Sequence, residues 1–228
     1  MKTNTKQYLS AFGVVIIATL VGAFATLNLT FLKGFENAAS DIRISALQPP
    51  EEQSQKIVLA TITEETVALF QYRSPVDREF LANLIMLLQA KGAKAIGIDV
   101  LLDSPTEIEK DKYLKETLRN ATVPLFLSYT NSPGVVTDDQ LEYLNDFVPE
   151  KFRAAANMAT DPFDGTVRWI FPGETNAGMP ISFPRKGAEI YGVDTSNLFE
   201  KEKETQTNLQ IAWRPKKDLE TSAFPEYP

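Results

Sequence analysis

From Ile57 to Tyr129 the chain alternates strand patterns with helix patterns, and that alternation restricts the available folds more than any other feature. Ile57-Val58-Leu59-Ala60-Thr61-Ile62 is a short apolar run rich in β-branched residues, the pattern of a strand buried on both faces. Phe80, Leu84, Leu87 and Leu88, with Leu81 and Ile85 beside them, then recur at the spacing of one helical face. Ser74 is placed to accept from first-turn N–H groups, Pro75 suits the first helical position, Asp77 completes a box-like start, and Gly92 suits a left-handed exit. Residues 95–102, Ala95 to Leu102, form a second buried strand with Asp99 at the end where it hands over to a loop. A helix over 111–120 follows, with Tyr113, Leu114 and Leu118 on one side, and a third strand runs from Val123 to Tyr129. Strands alternating with helices of this length join by crossovers into a parallel sheet. The expected fold is therefore a three-layer α/β domain with a mainly parallel central sheet.

Composition removes several functions. The 228 residues include no Cys and no His, so there is no disulfide, no thiolate metal site and no Cys nucleophile, and the usual general base and commonest zinc ligand are missing. Any catalysis would fall to carboxylates, Lys and Tyr. A net charge of −7 lacks the clustered cations that neutralise phosphates, which argues against a nucleic-acid partner. Gly92 and Gly97 do not form a dinucleotide fingerprint, and no glycine-rich run ends in Lys-Ser or Lys-Thr, so no nucleotide cofactor is implied.

The N-terminus sets the expected location. No charged residue occurs from Tyr8 to Leu32, and a helix of that length exceeds the ~30 Å hydrocarbon core of a bilayer. Lys2 and Lys6 precede it without an acidic residue, which places the N-terminus in the cytoplasm and residue 33 onward outside. Ala23-Phe24-Ala25 also suits cleavage of a signal peptide, but apolar residues continue through Leu27, Leu29, Phe31 and Leu32, which favours an uncleaved anchor. The expected organisation is a cytoplasmic segment over 1–7, one transmembrane helix over 8–32 and an extracytoplasmic domain over 33–228.

Several strings, in order, carry a family resemblance. They are Asp41-Ile42-Arg43 after the apolar run, Ser74-Pro75-Val76-Asp77-Arg78, the stretch from Gly92 to Leu101, Asp111 with Leu114, and Asp164-Gly165-Thr166-Val167-Arg168. Together they resemble the CHASE2 family, the extracytoplasmic sensory domain of bacterial transmembrane receptors. The chain departs from the family pattern at Thr63, where an acidic residue is usual, and at Ser74, where an aromatic is usual. The resemblance implies a sensory input domain, no catalysis and no cofactor, and a small-molecule or protein signal as partner. The uncharged run itself adds contact with the lipid bilayer through residues 8–32, and a homodimer is left open. Family members continue into a further strand, more membrane helices and a cyclase or kinase, so the resemblance leads us to expect an input domain truncated at its C-terminus, either as a fragment of a receptor or as an orphan sensor that has lost its output.

Six residues are candidates for ligand binding or signal transmission: Asp41, Arg43, Arg78, Asp99, Asp164 and Arg168. Asp99 lies at the strand edge where ligands bind in open parallel sheets, or serves as a turn acceptor near Ser104. Asp99 with Asp103 does not fit an aspartyl phosphohydrolase, which needs two Asp two positions apart where Leu101 stands. Arg78 sits in a first helical turn, where the macrodipole disfavours a cation, so it requires an anionic ligand or a carboxylate partner, Asp99 or Asp41. Asp41 and Arg43 either clamp the domain to its membrane helix or form a plain surface pair. Asp161-Pro162-Phe163-Asp164-Gly165 is too short a ligand series for calcium and reads as a hairpin turn, with Val167, Trp169 and Phe171 alternating after it. Arg168 then faces solvent or turns back to a carboxylate. Residues 131–149 are expected to form a short helix over the sheet edge, and Asn208 to Trp213 a late strand. The competing functions are an anchored periplasmic hydrolase using Asp99 and Asp164, and an envelope protein that assembles through a sheet edge.

Overall fold

The computed structural model describes residues 5–28, 30–47, 49, 51–161, 163–171, 173, 178–196, 222 and 224–227. The chain divides into two compact units, Met1–Leu59 with Ala212–Glu226, and Ala60–Ile211 with Tyr227–Pro228. In the first, α1 (Thr5–Asn28) is followed by α2 (Thr30–Leu47). The membrane helix expected over 8–32 is not supported: among the described residues no helix is long and apolar enough to cross a membrane. An uncharged run is not uniformly apolar. Ser10, Gly13, Thr19 and Gly22 interrupt this one, and Thr19 Oγ1 donates back to Val15 O at 2.9 Å.

The second unit holds the sheet. Strands β2 (Ile96–Ile98), β3 (Leu125–Tyr129) and β4 (Arg153–Ala155) lie side by side, parallel throughout, with Ile96 opposite Leu125 and Leu127 opposite Arg153. After the single-turn α3 (Glu64–Val67), helices α4 (Arg78–Ala90), α5 (Ile108–Arg119) and α6 (Asp138–Phe147) supply Ile85, Leu114 and Leu144 to one core with Ile98, Leu127 and Tyr129. On the opposite face α7 (Phe183–Ile190) stacks Phe183 on Phe126 with ring centroids 4.6 Å apart. The expected three layers and parallel sheet are present.

Strand alternation explains the layering. Ile96, Ile98, Leu125, Leu127 and Tyr129 face the three-helix core. Gly97 and Phe126 face α7, so tightly that a Cβ on Gly97 would come within 2.5 Å of the Phe126 ring. A short β5 (Ala159–Thr160) and β6 (Val167–Trp169) form the expected antiparallel hairpin, turning at Gly165 with φ of 73°. The helix expected within 131–149 is α6, started by a reciprocal capping box between Thr137 and Gln140.

The first expected strand requires correction. Extended pairing is confined to β1 (Leu59–Ala60), which joins not the parallel sheet but β7 (Glu226–Tyr227) near the C-terminus. Leu59 N donates to Pro225 O at 2.8 Å and Thr61 N to Tyr227 O at 2.9 Å. Ile57 and Val58 are 53% and 56% exposed rather than buried on both faces. A β-branched run signals extended backbone but does not name the strand that will satisfy its donors. The start of α4 also differs: Asp77, not Ser74, is the N-cap, accepting from Phe80 N at 2.9 Å, and Ser74–Pro75 is a cis peptide ahead of the helix. The exit at Gly92, φ 87°, is as expected. The late strand over 208–213 lies outside the described residues.

Leu127 is fully buried in the central strand, whereas Ile108 at the start of α5 is 81% exposed. Leu127→Ala should lower unfolding free energy by about 2–5 kcal/mol, and Ile108→Ala should stay within about 0.5 kcal/mol of the parent, both read from urea denaturation.

Candidate functional site

Parallel strands with antiparallel return helices bring the starts of α4, α5 and α6 to the edge where β2 and β3 end. Each helix arrives with polar first-turn side chains, and these meet around Arg78. Arg78 is fully buried. Its Nη1 donates to Val76 O at 3.1 Å and its Nη2 to Ser104 O at 2.9 Å, and Nε lies 3.7 Å from Asp111 Oδ1. Nε itself has no hydrogen-bond partner. Burial lowers the guanidinium pKa, opposed by the nearby Tyr143 and Asp111. An arginine stays charged under such a load, so the cluster carries a permanent interior cation.

Asp111 distributes its oxygens over three donors: Thr106 N at 3.1 Å, Thr106 Oγ1 at 2.7 Å and Tyr143 Oη at 2.9 Å. Burial and this bond to Asp111 push the Tyr143 phenol well above its ordinary value, so it remains a donor. Gln140, the capping-box residue of α6, donates through Nε2 to Asp103 at 2.7 Å. The loop over 99–107 is thus held from three helices at once.

Outside this inner group lies an outer one. Asp77 caps α4 with one oxygen and accepts from Lys110 Nζ at 2.5 Å with the other. Lys110 reaches Glu107 at 3.2 Å, and Glu107 accepts from Tyr72 Oη at 2.5 Å. The bonds to Asp77 and Glu107 raise the Lys110 pKa, and the Tyr72 hydroxyl is the main cause of a lowered Glu107 pKa.

The sequence candidates separate into different places. Arg78 is paired, but with Asp111 rather than Asp99 or Asp41. Asp99 accepts instead from Ser128 Oγ at 2.5 Å, and not as a turn acceptor at Ser104. The reason is the strand period: Ser128 follows Phe126 onto the α7 face, while Arg78 lies on the other side, 5.8 Å from the Phe147 ring in the three-helix core. Asp164 and Arg168 do meet. Arg168 is 4% exposed and donates to Asp161 at 2.7 Å and to both oxygens of Asp164 at 2.8 and 2.6 Å. Arg168 therefore turns back to carboxylates, and the hairpin satisfies its own charges. Asp41 and Arg43 lie on α2 in the first unit, Asp41 half-buried and Arg43 exposed.

Sequence reasoning did not select Lys110, Tyr72, Glu107, Tyr143 or Asp161. The Thr137-x-x-Gln140 box was a readable signal for α6, but the contact of Gln140 with Asp103 depends on tertiary packing. Among the described residues no group of three or more acidic side chains is arranged to hold a metal ion.

The fold and this cluster together define an α/β domain whose charged side chains tie loops to helix starts. A family model for the CHASE2 domain matches residues 13–224, and the chain belongs to the CHASE2 family, a family of extracytoplasmic sensory domains. No curated protein and no solved structure matches it.

Removing Arg78 leaves Asp111 its three hydrogen-bond donors but takes away the cation beside it, and it empties a buried volume. Arg78→Ala should cost roughly 3–5 kcal/mol, and Arg78→Lys should recover only part of it because the planar fork is lost; chemical denaturation measures both. The Arg168 guanidinium holds the Asp164 carboxyl well below the ordinary carboxylate range. Folding therefore favours its charged form, a contribution complete above about pH 4 and lost as pH falls through the folded-state value. The gap in urea midpoint between the parent and Asp164→Asn should accordingly be larger at neutral pH than at about pH 3.

Proposed function

We propose that this chain is the signal-sensing input domain of a membrane-anchored bacterial receptor, held outside the cytoplasm by its N-terminal helix. The observation that carries this reading is membership of the CHASE2 family over residues 13–224. The exposed side chains of α1 support the anchor. Phe12, Val14, Val15, Ile17, Leu20, Val21 and Phe24 are each more than 60% exposed and lie around the helix rather than along one stripe. Large apolar side chains exposed around a helix need an apolar environment, and lipid is one that supplies it.

A signal moves such a receptor only by binding one conformation better than another. Asp41 and Arg43 on α2, just beyond the apolar run, are the residues we assign to transmitting that difference. The output, a cyclase or a kinase, belongs to the receptor rather than to this segment. A homodimer is the assembly in which such an input domain would act.

Two measurements test the reading. Alkaline phosphatase fused after Pro228 should be active in a bacterial host, and the full chain should sediment with membranes while residues 33–228 do not; an inactive fusion or a full chain in the soluble fraction overturns the location. In a chimera with a CHASE2 receptor's membrane helices and cyclase, Arg43→Ala should change the output at least several-fold. An unchanged output removes α2 from the transmission path.

A further inference from the structure

Resting on the sensory reading, we propose that the cleft between residues 71–75 and 105–107 binds a ligand carrying a primary ammonium group. In the unliganded protein Lys110 takes that group's place. The cleft has a volume of about 460 Å³ and is lined by Gln71, Tyr72, Pro75, Pro105, Thr106 and Glu107. Its walls combine one aromatic ring and two prolines with a single carboxylate, that of Glu107, which is 43% exposed. Tyr72 Oη donates to Glu107 Oε2 at 2.5 Å, which joins the two sides of the cleft and fixes ring and carboxylate relative to each other. Among the described residues no cationic side chain lines it.

An ammonium already sits against these groups. Lys110 Nζ is 5.9 Å from the centroid of the Tyr72 ring, 3.2 Å from Glu107 Oε1 and 2.5 Å from Asp77 Oδ2. An aromatic ring within about 6 Å together with carboxylates is the set that recognises an ammonium. Lys110 is an exchangeable occupant. Its side chain is 29% exposed, and its unbranched stem lets the head swing to water without unfolding α5. Of the two cations in the cluster, Arg78 is enclosed and Lys110 is reached by water, so Lys110 is the one that can leave, and the ligand ammonium must then replace it beside the buried Asp77 oxygen.

Exchange at this position reaches the rest of the site. Asp77 caps α4 and immediately precedes Arg78, which holds Ser104 of the loop after β2. A ligand that takes over the Lys110 position changes the partner of that cap, and so favours one arrangement of the loop over another.

The internal competitor makes the test specific. A ligand meets a competent cleft only in the fraction of molecules from which Lys110 has withdrawn, so its apparent affinity is reduced by that fraction. The probe is 1,4-diaminobutane, titrated calorimetrically into the full 228-residue chain in detergent. Lys110→Met should bind it about tenfold more tightly than the parent, and adding Glu107→Gln should cancel the gain. Lys115→Met removes a different paired lysine, the partner of Asp146 at 2.7 Å, and should bind like the parent. Equal tightening in Lys115→Met would assign the binding to overall negative charge and overturn the proposal. So would a Lys110→Met chain that binds no more tightly than the parent, or no binding by any variant. Circular dichroism checks folding, and Lys110→Gln carries the same expectation if Lys110→Met does not fold. Because binding is read directly on the chain, a negative result here leaves the location and output of the sensor to their own tests.

Discussion

The second unit is organised around one enclosed cation. Withdrawing a guanidinium from water costs several kcal/mol, and the structure meets that cost with two carbonyl acceptors, one carboxylate and an aromatic face. Each of these is supplied by a different segment: Val76 ahead of α4, Ser104 in the loop after β2, Asp111 in α5 and Phe147 in α6. The charge is therefore satisfied only when all four segments are in place. Hydrophobic burial drives the sheet and helices together, whereas Arg78 fixes how the loops at one end are arranged. A core of Leu and Ile alone would tolerate several such arrangements.

That end of the sheet also carries the cleft proposed to take an ammonium ligand. Loops that follow parallel strands lie beside the helix starts, and here they carry a buried inner cluster and an accessible outer one. The inner cluster has little freedom. In the outer group Lys110, Glu107 and Tyr72 are open to water and only Asp77 is buried. A rigid centre with an exchangeable rim suits a domain that must respond to a small molecule without losing its fold. The hairpin at Asp164 has no comparable rim, since Arg168 takes up both oxygens of that carboxylate.

Much of the architecture was legible in the residues. The helical face of Phe80 to Leu88, the strand ending at Asp99 and the Asp164-Gly165 turn each follow from periods and turn chemistry that need no long-range knowledge. Less was legible where two segments had to choose each other. Ile57 to Ile62 has the composition of a central strand, yet its donors are satisfied by Pro225 and Tyr227. Asp99 and Arg78 have opposite charges and suitable positions along the chain, but the two-residue period of the strands puts them on opposite faces of the sheet. The run from Tyr8 to Leu32 shows a different limit, because absence of charge marks a segment as unusual without establishing what surrounds it. Of the six candidate residues, Arg78 led to the central cluster, and its partner Asp111 had drawn notice only as a helix start.

The small ribbon of β1 and β7 has a kinetic consequence. It joins residues 166 positions apart, Thr61 and Tyr227, through a few backbone bonds between strands that remain exposed. Closing so long a loop is entropically expensive, and the ribbon returns little buried surface in exchange. The ribbon is therefore expected to form later and open more readily than β3 and to exchange its amide hydrogens faster, so the two distant stretches of chain meet at a weak clasp rather than a weld.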